Sequence, residues 1–362
     1  MFKKYRRKWY YKNRFKTWYR KANYYYRKKQ KIYSYMEKFR TQEQLSDKRY
    51  VSRLRWDMIY CLLKYGSYFD EYFLFDFEGK DDEYRSSFIT ESIRMSYYPR
   101  MNNPRNTGML ENKFSTYRKF PEFFKRDMIQ IRTTHKITEE RLEEFAEFTR
   151  KHPRYVVKPT YASYGNGFRI VDIADYESAE EAYLEYHKQG VVVEEIIIQD
   201  ERMGVLHSNS VNTLRIPTVI SKDEQGEDHV YLYNPTLRMG QRGSVIDNTS
   251  SGGICALIDK ENGVLITDGA DKTGKYYESH PDTGVVFKGF QIPEWEQAVE
   301  MVTEAAMKVP DNHYCGWDLA LFEGKGWCMV EANCHAQMSG MQFVPKVGRK
   351  PELEELISRM SA

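Results

Sequence analysis

The alternation of apolar and polar positions changes near residue 108 of this 362-residue chain. Up to about Arg105, long aromatic-rich stretches follow a helical pattern and contain few turn signals. The segment SYYPRMNNPRNTG, residues 96–108, is the first strong Pro/Asn/Gly break. We therefore expect a mostly helical N-terminal region that ends there and a differently built region behind it.

Beyond this break, segments with helix and strand patterns alternate. TEERLEEFAEFTRKHP predicts a helix with Thr138 as its N-cap. SAEEAYLEYHKQG predicts another, with a capping box of Ser178 and Glu181 and with Gly190 just after its end. Apolar runs such as VVVEEIII, NTLRIPTVI and WDLALF predict strands. The expected fold class is α+β, or alternatively mixed α/β, with a largely antiparallel core.

Charge is distributed unevenly along the chain. Of the 55 lysines and arginines, fourteen precede Glu37, the first acidic residue; the remainder carries 41 basic and 52 acidic residues, a formal net charge of −11. Residues 1–36 interleave their basic residues with Trp, Tyr and Phe. Three interpretations stay open: contact with an anionic membrane surface, contact with nucleic acid, or a helical extension that packs some rings on the protein body.

Composition indicates where in the cell the protein is expected and in which state its cysteines are expected. No apolar run approaches the ~20 residues that cross a bilayer, and the basic N-terminus lacks the apolar stretch of a secretory signal. We expect a cytoplasmic protein, with peripheral contact at the inner membrane face as a further prediction. The five cysteines include no CxxC pair and are expected to be reduced. A zinc site of Cys328, Cys334 and His335 is the weaker alternative.

A lysine and a glycine-containing loop follow one predicted strand. Lys158 closes RYVVK, and the loop behind it contains Ser163, Tyr164, Gly165, Asn166 and Gly167. Backbone N–H groups in such a loop approach phosphate closely, and the lysine adds positive charge. The pattern is also typical of an ordinary glycine hairpin, and it matches neither GxxxxGK[ST] nor GxGxxG.

Acidic residues occur on three predicted strands. Glu194 and Glu195 close VVVEE, where a solvated strand end is the plain interpretation. Asp318 lies in WDLALF, and Glu331 and Asn333 close GWCMVEAN across a Gly-Lys-Gly turn. Residues two apart on a strand project to the same face, so a hairpin would bring Asp318 close to the other two. Three hard oxygen ligands favour magnesium over zinc.

In this order, the residues resemble those of the ATP-grasp superfamily. SVNTLRI, LRMGQRGSVIDNTSSGGI, SHPDTG, IPEWEQAVEMVTEAAMKVP and GWDLALFEGKGWCMVEAN are similar to its sugar-transfer-associated branch, over roughly residues 110–343. The resemblance implies an ATP-grasp fold, in which two α+β subdomains clasp ATP. The expected divisions are a basic arm (1–36), a helical region (37–108), a subdomain with the phosphate loop (109–195), a subdomain with the metal site (196–350) and a C-terminal tail (351–362).

The resemblance also implies roles for single residues, with ATP and Mg²⁺ as cofactors. The metal ligands would be Asp318, Glu331 and Asn333. Nucleotide contacts would come from Lys113, Lys158, the loop Ser163, Tyr164, Gly165, Asn166 and Gly167, Glu194, Ile197 and Glu201, with Glu195 and Asp200 as alternatives for a register displaced by one. The catalytic set would be Arg215, Arg238 and Lys158. Another wall of the site would come from Asp247, Asn248, Gly252 and Gly253.

One position departs from the pattern. Several peptide-forming ATP-grasp ligases have an arginine two residues before the metal aspartate, where this chain has Gly316. Arg215 is the expected substitute.

The implied activity is ADP-forming carboxylate–amine ligation through an acyl phosphate. An amino acid or other small acid would be joined to an amino group of a sugar or glycan precursor in surface polysaccharide biosynthesis. The alternative within the same superfamily is a kinase that phosphorylates a hydroxyl of a sugar or small molecule. A nucleotide-sensing or scaffold protein, and a nucleic-acid-binding protein that acts through residues 1–36, are the alternatives outside catalysis.

Overall fold

The structure is a computed structural model that describes residues 2–160, 167–244 and 247–360, without the side chains of residues 2–14, 105, 106 and 250. Its helices are α1 Phe2–Lys28, α2 Ile32–Phe39, α3 Gln42–Ser46, α4 Lys48–Tyr65, α5 Phe69–Leu74, α6 Asp82–Ser86, α7 Glu91–Met101, α8 Pro104–Glu111, α9 Lys113–Lys119, α10 Pro121–Phe124, α11 Glu139–Lys151, α12 Ala179–Gln189, α13 Glu201–Gly204, α14 Trp295–Met307, α15 Gly340–Phe343 and α16 Lys350–Arg359. Its strands are β1 Met128–Ile131, β2 Arg154–Pro159, β3 Arg169–Asp172, β4 Val191–Glu195, β5 Thr213–Lys222, β6 Asp228–Leu232, β7 Thr236–Met239, β8 Ile254–Leu257, β9 Gly269–Ala270, β10 Tyr276–Tyr277, β11 Tyr314–Phe322 and β12 Gly326–Asn333.

The smaller sheet has the strand order β1-β4-β2-β3, with every pair antiparallel. Phe145 of α11 and Tyr186 of α12 pack with Tyr155 of β2 in one core cluster, so the two helices cover one face of this sheet. Thr138 caps α11 as predicted. The capping box of α12 is only half formed, because Ser178 accepts from the Glu181 N–H while the Glu181 carboxylate accepts from residue 177.

The larger sheet has the order β10-β9-β8-β7-β5-β11-β12, and β6 also pairs with β5. All of its pairs are antiparallel, as the sequence predicts. All nine residues of β11 are buried. Trp295 and Val302 of α14 pack with Trp317 and Leu319 of β11, so this strand lies in the centre of the main core.

The predicted break at residues 96–108 is wrong. Residues 91–101 form α7, which includes Pro99, and α8 begins with Pro104, where a missing N–H costs no hydrogen bond. Between them, Asn102 is buried and its side chain donates to the carbonyls of Tyr314 (2.8 Å) and Cys334 (3.0 Å). The cluster therefore attaches the helical region to β11 instead of separating the two.

Helix α16 also lies across a predicted boundary. Leu353, Leu356 and Ile357 are buried, and the Ser221 hydroxyl of β5 donates to the Leu356 carbonyl at 2.7 Å. The residues expected to form a C-terminal tail are therefore, up to Arg359, a helix packed on the larger sheet. The remaining boundaries stay predictions.

Candidate active site

The β11–β12 hairpin brings the three predicted metal ligands together. Strand register pairs Asp318 with Glu331, and an irregularity just after this pair leaves Val330 without a partner in the ladder. The Asn333 amide donates to Glu331 Oε1 at 2.8 Å and approaches Asp318 Oδ2 at 3.5 Å. Two carboxylates and one amide thus share one face of the hairpin.

Asp318 is held by two arginines from neighbouring strands. Arg215 lies opposite it on β5 and donates through Nε to Oδ1 and through Nη2 to Oδ2, the latter at 2.8 Å. Arg238 of β7 places Nη2 2.9 Å from Oδ2. Burial would raise the pKa of Asp318, but the two guanidinium groups lower it to about 2. Asp318 is therefore ionised and fixes both arginines.

Glu331 has the opposite electrostatics. Burial and the neighbouring charge of Asp318 raise the pKa of the Glu331 carboxyl, and the Asn333 amide and Lys113 only partly oppose this. A divalent cation would compensate such a pair, and carboxylate and amide oxygens are the ligands that Mg²⁺ takes in proteins. The residues present therefore fit magnesium, provided that Asn333 turns its amide oxygen toward the ion.

The departure at Gly316 has a structural cause. A Cβ atom there would lie 2.4 Å from the Ala336 Cβ and 3.1 Å from the Arg215 Cδ. A side chain at position 316 would therefore force Ala336 to move and would crowd Arg215. The guanidinium beside Asp318 therefore comes from the adjacent strand, β5, and not from the strand that carries Asp318.

Arg238 is fixed on its other side. Its Nε and Nη2 donate to the Thr213 hydroxyl at 3.1 and 2.7 Å, and that hydroxyl in turn donates to Asp247. Burial raises the pKa of Asp247, and Arg238 opposes the rise. Gly253 closes the same loop with an N–H bond to the Asn248 carbonyl, 3.1 Å, and Gln241 donates to the Gly252 carbonyl.

These groups line a cavity of about 380 Å³. Its lining includes Lys113, Arg215, Arg238, Glu331, Asn333, Asn248 and His335. Burial lowers the pKa of Lys113, and the carboxylate of Glu331 partly offsets this. An anion entering the cavity would therefore be stabilised by Lys113 and by both arginines.

Lys158 and Glu194 form a second ionic group, on the smaller sheet. Glu194 is 2 % exposed, so it is not the solvated strand end that its position suggests. Its Oε2 accepts from Lys158 at 3.1 Å and from Arg126 at 2.9 and 3.0 Å. Burial alone would raise the pKa of Glu194, but the two cations lower it. Contact of Lys158 with phosphate and of Glu194 with adenine stays a prediction.

Arg126 is the residue that the sequence interpretation missed. Its side chain is fully buried and also donates to the carbonyls of Met329 (2.5 Å) and Val330 (3.3 Å) on β12. It therefore joins the smaller sheet to the hairpin that carries Glu331. The sequence around Arg126 does not indicate this role, because the carbonyls that the arginine contacts lie about 200 residues later in the chain.

The other predicted nucleotide residues lie at the end of β4 and after it. Glu195 accepts from Lys325 at 2.6 Å, and Ile197 packs on the cluster that contains Phe322. Asp200 caps α13, whose first residue, Glu201, is exposed. Their roles toward ATP stay predictions.

Gly167 is the described end of the predicted phosphate loop; Ser163, Tyr164, Gly165 and Asn166 lie outside the described residues. Gly167 has φ of 76°, and a Cβ there would lie 2.6 Å from the Pro159 Cγ. A glycine is therefore required where the chain enters β3.

All five cysteines are buried and unpaired, in agreement with the reduced state expected. Cys328 and Cys334, however, pack in different hydrophobic clusters, and the His335 imidazole contacts Glu111. This arrangement does not gather the three side chains that the zinc alternative requires.

Helix α1 makes up most of the basic arm. Tyr24 stacks on Tyr68 with ring centroids 3.8 Å apart, which agrees with a helical extension that packs some rings on the body. Phe15, Trp18 and Tyr26 are 65, 61 and 74 % exposed. Among the described helices, none is both long and apolar enough to cross a membrane.

A family model described as sugar-transfer associated ATP-grasp matches residues 92–357. This match confirms the predicted resemblance and the ATP-grasp fold, and it extends the family unit back into α7 and forward into α16. A comparison with curated protein sequences finds no match.

Similar solved structures include the ATP-grasp ligase PsnB complexed with minimal precursor, which is 12 % identical to this chain, with 76 % of this chain and 71 % of PsnB covered and a TM-score of 0.43. D-alanyl-alanine synthetase A from Vibrio cholerae is 10 % identical, with 72 % of this chain and 67 % of the synthetase covered and a TM-score of 0.44. N5-carboxyaminoimidazole synthase from Aspergillus clavatus is 14 % identical, with 65 % of this chain and 47 % of the synthase covered and a TM-score of 0.38.

Proposed function

Since the chain belongs to the sugar-transfer associated ATP-grasp family and is thus an ATP-grasp enzyme, we propose that it is an ATP-dependent, ADP-forming carboxylate–amine ligase. Its substrates are an amino acid or other small acid and an amino group of a sugar or glycan precursor, in surface polysaccharide biosynthesis. The observation that carries this proposal is the cavity at which Arg215, Arg238 and Lys113 face Glu331 and Asn333.

The chain's own residues bind and orient the reactants. Asp318, Glu331 and Asn333 would hold Mg²⁺, which would offset the negative charge of the transferring phosphoryl group. Lys113 lines the same cavity and binds phosphate oxygens, because the negative charge of a phosphate group offsets the burial that disfavours the lysine's positive charge. Arg238, fixed between Asp318 and Thr213, presents its planar guanidinium to the acid carboxylate.

The reaction has two steps. The acid carboxylate attacks the γ-phosphorus of ATP, giving an acyl phosphate and ADP. The amine then attacks the acyl carbon, and phosphate leaves. Arg215, which occupies the space beside Gly316, stabilises the oxyanion of the tetrahedral intermediate. Catalysis rests on positioning and electrostatics, without a protein nucleophile.

The test is ADP release from Mg·ATP in the presence of hydroxylamine, with amino acids and common organic acids added one at a time. A hydroxamate formed with one acid identifies an acyl phosphate and half of the reaction. We expect it to disappear in Glu331→Gln and to persist in Glu300→Gln, which removes the same charge from an exposed position on α14. ADP release with sugars and never a hydroxamate would overturn the ligase and favour the kinase.

We also propose that residues 1–36 make peripheral contact with the anionic cytoplasmic face of the inner membrane. Support comes from their fourteen basic residues and the exposed rings of Phe15, Trp18 and Tyr26. Such contact would keep a cytoplasmic enzyme near a lipid-linked glycan precursor.

A further inference from the structure

A second basic and aromatic surface lies outside the arm, on α4. Arg49, Arg53, Trp56, Tyr60 and Leu63 follow one another at intervals of three and four residues, which places them on one face of the helix. The rings of Trp56 and Tyr60 are 67 and 43 % exposed, and Leu63 is 56 % exposed. Three large apolar side chains therefore face solvent on the C-terminal side of two arginines.

The charged residues that α4 itself contributes to this face are of one sign. Helix α4 is described over its whole length and contains one acidic residue, Asp57. Its carboxylate is turned to the body, where it accepts from Arg85 at 2.7 and 2.9 Å and from Tyr72 at 2.6 Å. The outer face is thus basic and apolar without an acidic side chain of its own helix.

A groove continues this face toward α2 and α3. It has a volume of about 520 Å³ and is lined by Tyr33, Leu45, Val51 and Trp56. Lys48 and Arg55 also line it. An apolar floor beside two cations suits a molecule with a hydrocarbon part and an anionic head. The groove and the outer face share Trp56, so they form one surface.

The arm lies beside the same surface. Lys21 of α1 donates to the Leu63 carbonyl at 2.9 Å, which places the middle of α1 at the C-terminal end of α4. The exposed rings of Trp18 and Tyr26 are within two turns of Lys21 along α1. The basic aromatic region therefore extends from α1 onto the folded body.

We propose that the outer face of α4 and its groove bind the surface of an anionic phospholipid bilayer, with Trp56 and Leu63 at the boundary of headgroups and acyl chains and Arg49 and Arg53 at lipid phosphates. A leucine and an apolar groove favour lipid over nucleic acid, because single-stranded nucleic acid is bound by rings that stack on bases. This inference rests on the proposed membrane contact of the enzyme and extends that contact to residues beyond the arm.

The test is sedimentation of the full chain with vesicles of phosphatidylcholine, with and without phosphatidylglycerol. Each basic residue near an anionic surface contributes about a factor of five to partitioning, so Arg49→Gln with Arg53→Gln should weaken binding to the anionic vesicles roughly 30-fold. Trp56→Ser with Leu63→Ser should weaken it at least about tenfold. The matched controls are Lys260→Gln with Lys288→Gln and Ile266→Ser, all exposed and outside α1 and α4.

The outcomes separate the α4 surface from the arm and from catalysis. If the α4 variants bind as the wild type does, while deletion of residues 1–36 abolishes binding, the α4 inference is overturned and the arm proposal stands. A wild type that binds a single-stranded oligonucleotide but not the anionic vesicles would overturn it as well. ADP release should be unchanged in all α4 variants, which shows that they are folded and keeps the ligase proposal separate.

Discussion

Replacement of Arg126 by methionine tests whether this side chain joins the two sheets. Arg126 is fully buried and makes two hydrogen bonds to Glu194 and two to carbonyls of β12. Removing one partner of a buried ion pair typically costs about 3–5 kcal/mol. Because Lys158 still contacts Glu194 at 3.1 Å, we expect the lower end, a loss of about 3 kcal/mol in unfolding free energy.

The same substitution should change the pH dependence of stability. The folded protein lowers the pKa of Glu194. The ionised carboxylate therefore stabilises the fold at pH above its unfolded pKa of about 4.3, and this stabilisation is lost as the pH falls through the folded pKa. Without Arg126 the folded pKa rises, so Arg126→Met should lose less stability on acidification than the wild type.

Urea unfolding of Arg126→Met, Glu194→Gln and the double variant, at neutral and acidic pH, measures both effects. The control is Arg150→Met, which removes an ion pair to Glu143; the two side chains are 64 and 62 % exposed, so the substitution should change stability little. The reasoning is refuted if Arg126→Met costs no more than this control. It is also refuted if the two single losses add to within about 0.5 kcal/mol in the double variant.

Three further predictions concern the site and the C-terminus. Gly316→Ala should lower the turnover of ADP release about 100-fold, because the new Cβ would force Ala336 to move and would crowd Arg215, whereas Gly108→Ala, whose Cβ meets nothing within 4 Å, should leave it unchanged. Mg·ATP at a hundredfold excess over its Kd should stabilise the wild type by about 2.7 kcal/mol in thermal unfolding, and Glu331→Gln should lose most of this; an equal shift in both would contradict the metal site. Leu353→Ala should lower the free energy of unfolding measured in urea by about 2–5 kcal/mol, since this side chain is fully buried. A loss below about 0.5 kcal/mol would support the predicted C-terminal tail instead of a packed helix.

The local sequence pattern was enough to predict contacts between side chains that are near one another in sequence. The period of two along β12 was enough to place Glu331 and Asn333 on one face, but Asp318 lies opposite Glu331 only because the β11–β12 ladder skips Val330. Thr138 likewise caps α11 through a contact only three residues away. In such cases the local backbone geometry determines which side chains meet.

Partners far apart in sequence were not predictable. The pairing of β5 with β11 sets Arg215 opposite Asp318, and a register one residue away would turn Arg215 to the other face of the sheet. The Arg126 contacts on β12 depend in the same way on how the two sheets meet. The prediction that Arg215 substitutes at Gly316 came from resemblance, and its steric reason appears only in three dimensions.

The error at residues 96–108 has a similar origin. Proline and asparagine usually mark loops, but their effect depends on position within the element. Pro104 occupies the first position of α8, and the Asn102 side chain satisfies buried carbonyls of Tyr314 and Cys334. The same residues that suggest a linker therefore fasten two parts of one core.

The charges around the hairpin give its two carboxylates different tasks. Asp318 is paired with Arg215 and Arg238 and is ionised, so its main effect is to aim both guanidinium groups into the cavity. Burial and the adjacent charge of Asp318 raise the pKa of Glu331, and the Asn333 amide and Lys113 only partly oppose this. The charge of Glu331 is therefore the one left for a divalent cation to compensate. For this reason Glu331→Gln should weaken metal binding while the arginines stay in place, whereas a change at Asp318 would disturb metal and arginines together.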